Sequence, residues 1–140
     1  MPSYSDEKTK RELIMSHYSN PIYKKEELPT WENIKIHSDY CVDNMEIAFH
    51  ISNQKFTEVF FKGEGCAVFL AAVDLFIDEI TGKNIEEAKT IAHDYEKVLK
   101  QEMSQSAKIN QLNIFQNVKT HLNRLECALL VKKAFDKLEI

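Results

Sequence analysis

One change of pattern constrains this chain most. Met45-Glu46-Ile47-Ala48-Phe49-His50-Ile51 alternates with period two, as a half-buried strand does. Ser52-Asn53-Gln54 reads as a turn and Phe56 to Phe61 as the return strand. Gly63-Glu64-Gly65 then breaks the strand pattern. From Cys66 the residues run Ala67-Val68-Phe69-Leu70-Ala71-Ala72-Val73, apolar nearly all round, which predicts a helix buried on most sides. A hairpin that yields to a buried helix across one glycine turn places the chain in the α+β class.

The flanking sequence fits that class. Lys8 to Tyr18 carries Leu13, Ile14, His17 and Tyr18 at helical spacing, and Asn20-Pro21 stops it. Lys24-Lys25-Glu26-Glu27-Leu28-Pro29 is a polar loop, and Ile34-Lys35-Ile36 offers a third strand. Thr81-Gly82-Lys83 ends the buried helix. Asn84 then caps the next one, with Glu87 completing a capping box, and that helix is expected to run to about Met103. Gln105 to Asn113 is polar and defines no element. A last helical pattern holds Leu122, Leu125, Leu129 and Leu138. The expected architecture is a small antiparallel β-sheet packed against a set of α-helices, with residues 1–140 as a single domain.

Composition narrows the function. With 44% hydrophobic and 29% charged residues the chain is globular rather than disordered, and its net charge of −4, without a basic run, argues against nucleic acid as a partner. The opening residues lack the apolar core of a signal peptide. The stretch Cys66 to Ile77 is shorter than the roughly 20 residues that cross a bilayer, so no membrane association is expected. The odd cysteine count of 3 does not suit a disulfide scaffold. A cytoplasmic location with reduced thiols is expected.

The three thiols are Cys41, Cys66 and Cys127. None is a sequence neighbour of another, so the close pairs of zinc fingers are missing. Their places in the elements say more. Cys66 follows two glycines at a helix start, where backbone N–H groups and the helix dipole favour thiolate. Cys41 sits in a loop before a strand, with Asp43 two residues on and able to face the same side. Three thiolates and a carboxylate would make a tetrahedral zinc site, whereas scattered buried cysteines are also ordinary packing. The histidines 17, 37, 50, 93 and 121 form no metal pair at helical spacing and read as surface or packing residues, although His121 could approach Cys127. Trp31 and the phenylalanines read as core, and Lys24-Lys25 and Lys132-Lys133 as solvated faces.

Four segments together resemble a family. They are Leu13-Ile14-Met15-Ser16-His17-Tyr18-Ser19-Asn20-Pro21, Phe60-Phe61-Lys62-Gly63-Glu64-Gly65-Cys66-Ala67-Val68, Thr81-Gly82-Lys83-Asn84-Ile85-Glu86-Glu87-Ala88 and Arg124-Leu125-Glu126-Cys127-Ala128. In order and over nearly the whole chain they are similar to the U-type iron–sulfur cluster assembly proteins (SufU, IscU and the NifU N-terminal domain). The long gap between the second and third cysteines, and Arg124 near the third, resemble the SufU branch. The resemblance implies a metal site of Cys41, Asp43, Cys66 and Cys127 holding Zn²⁺, with Arg124 beside it. It implies that Cys41 accepts persulfide sulfur from a cysteine desulfurase, as a zinc-dependent sulfurtransferase would, with downstream Fe–S assembly or acceptor proteins as further partners. The alternative it implies is a scaffold on which a labile Fe–S cluster is built and passed on. Three departures stand out. Val42 replaces the family's glycine between the first two ligands, Glu126 replaces a lysine, and Leu122 stands where proline is common. The chaperone-docking leucine-proline-proline motif is absent.

Overall fold

The structure is a computed structural model describing residues 4, 6–39, 42–120 and 122–140, with the backbone alone at Thr120, Leu122 and Asn123. Helix α1 (Glu7–Ser19) is capped by Asp6, whose side chain accepts the Thr9 N–H. Strands β1 (Glu32–His37), β2 (Asn44–Ser52) and β3 (Lys55–Glu64) form an antiparallel sheet in the order β1-β2-β3. Helices α2 (Ala67–Ile80) and α3 (Ile85–Leu99), a 3-10 helix at Asn110–Phe115 and a shorter one at Val118–Thr120, and α4 (Leu122–Asp136) complete it. The expected α+β class holds, and Ile34-Lys35-Ile36 lies within β1.

Local chemistry sets the boundaries. Asn53 and Gln54 both take positive φ (51° and 63°), the pairing that a two-residue hairpin turn requires. Glycine does not end β3 where the sequence pattern breaks: Gly63 and Glu64 still pair with Met45 and Asn44. Backbone from Tyr23 to Lys25 lines the other edge of β3, with the Phe61 N–H donating to Tyr23 O (3.0 Å) and the Lys25 N–H to Phe61 O (2.8 Å). The capping box of Asn84 and Glu87 is present. Helix α3 stops at Leu99 rather than near Met103. Gln101 enters the left-handed region (φ 59°), and the Gln101 and Glu102 N–H groups bond back to Val98 O and Lys97 O, a Schellman stop. The polar stretch from Gln105 to Asn113 is ordered by the buried Asn113 side chain, which bonds the Ser106 N–H and Ser106 O.

Helix α2 is the centre of the core. Every residue from Phe69 to Ile77 is buried, because α1, α3, α4 and β3 all pack on it. Phe49, Phe56 and Phe76 all contact Phe135 of α4, which ties sheet to helices. Two expectations are corrected here. Trp31 and Phe60 are not core: they stack, with centroids 5.8 Å apart and both half-buried, on the strand side away from it, beside the exposed His50. Lys132 is not a solvated face, since its side chain is 16% exposed and its ammonium lies 2.7 Å from both Glu96 and Asp136.

Candidate metal centre

The site begins at the glycine turn between β3 and α2. A Cβ on Gly65 would collide with Asp43 Oδ1 and come within 2.7 Å of Phe69 Cδ2. Only glycine lets this turn lie against the Asp43 carboxylate. Cys66 follows as the N-cap of α2, its sulfur accepting the Phe69 N–H at 3.4 Å. The cap places the sulfur at the N-terminal, positive end of a fourteen-residue helix.

Asp43 is 1% exposed. Its Oδ1 accepts the Cys66 N–H at 2.9 Å, and its Oδ2 lies 3.8 Å from Cys66 Sγ, which donates to it as a thiol. Among the described residues no cationic side chain pairs with this carboxylate. Asp74, the other fully buried aspartate, is different: His17 Nδ1 lies 2.5 Å from its Oδ2, and it accepts the Ile22 and Tyr23 N–H groups. Asp74 is paired with His17 and two backbone N–H groups, whereas among the described residues Asp43 meets only the Cys66 N–H and thiol, which leaves its carboxylate able to take a cation.

Cys127, 4% exposed in the second turn of α4, brings the third donor. One ligand atom each from Asp43, Cys66 and Cys127 lie within 4.8 Å of one another. Zinc–thiolate bonds of about 2.3 Å put tetrahedral ligands about 3.8 Å apart, so small side-chain adjustments close the cluster on an ion. Two soft sulfurs and one oxygen suit zinc or an iron–sulfur cluster.

The remaining expected residues divide. Cys41 and His121 lie outside the described residues. Next to Cys41, Val42 is 81% exposed, and the Ser38 N–H closes the loop onto Asp43 O at 2.8 Å. Arg124 is exposed one turn before Cys127 and is not one of the three clustered donors. None of the described histidines joins the cluster. Sequence reasoning missed the second role of Asp43, as acceptor for the Cys66 N–H. The glycine immediately before the cysteine was the available signal, since it marks a close approach without naming what approaches.

The chain as a whole is similar to known proteins. Residues 9–128 match the model of the NifU-like N terminal domain family. The chain is 27% identical over 128 residues to the zinc-dependent sulfurtransferase SufU of Bacillus subtilis, covering 91% of this chain and 86% of that protein. It is 23% identical over 93 residues to the iron–sulfur cluster assembly scaffold protein IscU of Thermotoga maritima, covering 66% of each. The crystal structure of FiSufU from Fervidobacterium islandicum AW-1 superposes with a TM-score of 0.77 at 24% identity, covering 89% of this chain and 92% of that one. A NifU-like N-terminal structure from Brucella abortus gives 0.78 at 15%, covering 89% and 87%. At these identities the structural likenesses speak for the fold alone. The family match, however, spans both the glycine turn with Cys66 and the helix with Cys127, and the chain belongs to the NifU-like N-terminal domain family.

Proposed function

We propose that this chain is a zinc-bound sulfur acceptor of iron–sulfur cluster assembly, taking persulfide sulfur from a cysteine desulfurase and handing it to downstream assembly or acceptor proteins in the cytoplasm. The observation that carries the reading is the convergence of Asp43, Cys66 and Cys127 within 4.8 Å from three separate elements. The likeness to the Bacillus subtilis zinc-dependent sulfurtransferase supports it. Among the described residues no helix is long and apolar enough to cross a membrane. Cys41, two residues before Asp43 in the sequence, completes the ligand set in this reading. Zinc, when bound, supplies the positive charge that keeps the thiols deprotonated at neutral pH.

The chain's own residues divide the work. Asp43 is pinned between Gly65 and the Cys66 N–H, Cys66 by its capping bond, and Cys127 by its helix. Cys41, which the sequence pattern places just before a strand, is the acceptor. Its thiolate attacks the terminal sulfur of the desulfurase persulfide. A new S–S bond forms on Cys41 as the donor's S–S bond breaks, and the electron pair leaves on the desulfurase thiolate, so no external oxidant or reductant is needed. Arg124, one turn from Cys127, contributes positive charge toward the incoming persulfide. After incubation with desulfurase and cysteine, mass spectrometry should find the added sulfur on the Cys41 peptide, and Cys41→Ala should abolish desulfurase stimulation. Added sulfur on Cys127 instead would overturn the assignment.

A second reading is a scaffold for a labile Fe–S cluster, favoured by the IscU relatives named as scaffolds. Protein purified without air or added metal separates the two. About one zinc per chain and no visible absorption supports the first; iron, sulfide and a visible band support the second.

A further inference from the structure

The sheet ends in an unpaired strand. β1 stands at the edge of the order β1-β2-β3, and among the described residues no backbone group bonds to its outer side. Which groups face outward follows from the ladder. The Ser38 N–H donates to Asp43 O at 2.8 Å, so in an antiparallel pair Glu32, Ile34, Ile36 and Ser38 turn their backbone groups to β2. The N–H and C=O groups of Asn33, Lys35 and His37 therefore point away from the sheet. Ile34 and Ile36 are only half-buried, whereas Ile47 and Met45 opposite them are fully buried. The apolar layer is incompletely covered at this edge.

The edge borders a groove. Lys35, Ile36 and His37 face Leu130, Lys133 and Lys137 of α4 across a cavity of about 580 Å³. Successive residues of one strand point their side chains to opposite faces, yet here they line one space, as they do at a strand's edge. A segment laid there as a fourth strand would meet three outward pairs of N–H and C=O groups and cover the two isoleucines. Charge selects what it carries. Among the described residues Lys35 and Lys137 have no salt bridge. Glu46, opposite Lys35, is taken by Lys62 at 3.7 Å and by the Asn33 amide at 3.0 Å, and Lys133 is held by Glu126 at 2.8 Å. Asp39 is the one carboxylate of the groove without a salt bridge among them. A second copy of β1 is a poor occupant, because the antiparallel register that pairs all three outward residues sets two copies of Lys35 opposite each other.

We propose that the outer edge of β1 is a strand-addition site for an extended segment of a partner protein, with an acidic residue opposite Lys35 and apolar residues opposite Ile34 and Ile36. Main-chain bonds supply the affinity, and the exposed lysine supplies the selection. The groove reaches the metal centre, since Glu126 lines it and precedes Cys127, and Ser38 lines it and is bonded to Asp43. A partner gripped here is held beside the centre, but the strand addition uses none of Asp43, Cys66 and Cys127 and does not rest on the zinc reading.

The probe is the capped peptide Ser-Thr-Val-Glu-Val-Thr-Ser, which reads the same in both directions, added to the full chain and followed by amide NMR shifts and residue-level hydrogen exchange. It should bind saturably. The Asn33, Lys35 and His37 amides, fast to exchange in the free chain, should slow at least several-fold, while Ile34 and Ile36, already bonded to β2, change less. The peptide with Lys in place of Glu should bind at least several-fold more weakly. Lys35→Pro removes an outward N–H and no bond to β2, so it should fold and weaken binding by roughly tenfold or more. Lys35→Glu, which keeps the backbone donor, should reverse the preference between the two peptides. Absence of saturable binding, protection without the alternation, or equal binding by a folded Lys35→Pro would overturn the site. An unreversed preference in Lys35→Glu would overturn the acidic class. Protection of the three amides in the free chain, with a concentration-dependent dimer, would show a second copy to be the occupant instead.

Discussion

Asp43 and Asp74 are both buried carboxylates, and their hydrogen bonds separate their roles. Asp74 is saturated and joins α2 to the segment after α1; Asp43 has one backbone donor and a thiol beside it. The close approach that holds Asp43 gives a sharp prediction. Gly65→Ala pushes a methyl group into Asp43 Oδ1 and Phe69, so it should lower stability by about 1–3 kcal/mol and reduce zinc content together. Denaturant unfolding with parallel metal analysis checks this, and a stable, zinc-replete variant would remove the wedge from the account. Val42 predicts the opposite pattern. Its side chain is 81% exposed, so Val42→Gly should change stability by no more than about 1 kcal/mol and leave zinc near one per chain. By freeing the loop it should speed sulfur acceptance at saturating desulfurase. A slower or equal rate would mean that valine packs on the partner.

Among the elements, α3 and α4 are joined by charge as well as by packing. Hydrogen bonds from Lys100 and then Lys132 hold the Glu96 carboxyl down to about 2. Because the folded value lies below the unfolded one near 4.5, the stabilisation is fully present above that pH and is lost as pH falls toward 2. The group is partly solvated, so the contribution is about 1 kcal/mol rather than the full shift. Stability measured from pH 5 to pH 2 should therefore fall less steeply in Glu96→Gln than in the native chain. Parallel curves would show that the ion pairs contribute nothing measurable. On α3 itself, the sequence pattern located the start through Asn84 and Glu87 but not the end, because Gln101 adopts the left-handed conformation usually left to glycine or asparagine.

At the scale of the whole molecule, the proposed metal donors come from the loop before β2, the cap of α2 and the second turn of α4. An ion there cross-links three elements that meet only when the chain is folded, so its binding energy is also folding energy. Free zinc at a hundred times its dissociation constant should add about 2.7 kcal/mol. The unfolding midpoint should rise with zinc and fall on chelation, and Cys66→Ser and Cys127→Ser should each lose most of that response. A zinc-independent midpoint in the native chain would reject the centre.

Sequence by itself determined what depends on neighbours along the chain. Period-two alternation marked the hairpin, continuous apolarity marked the buried α2, and the capping box marked the start of α3, because strand pleat, helix face and cap are local geometry. Cys66 at a helix start was legible for the same reason, and resemblance to a family pointed to Asp43 and Cys127 as its companions. Only the tertiary structure decided that Asp43 is buried with no cationic side chain beside it among the described residues while Asp74 is paired with His17, that Lys132 is enclosed by two carboxylates, and that Trp31 lies outside the core. Each of those depends on which groups from distant segments replace water around a side chain. Burial and charge compensation are set by the packing of elements, and no spacing in a single sequence encodes them.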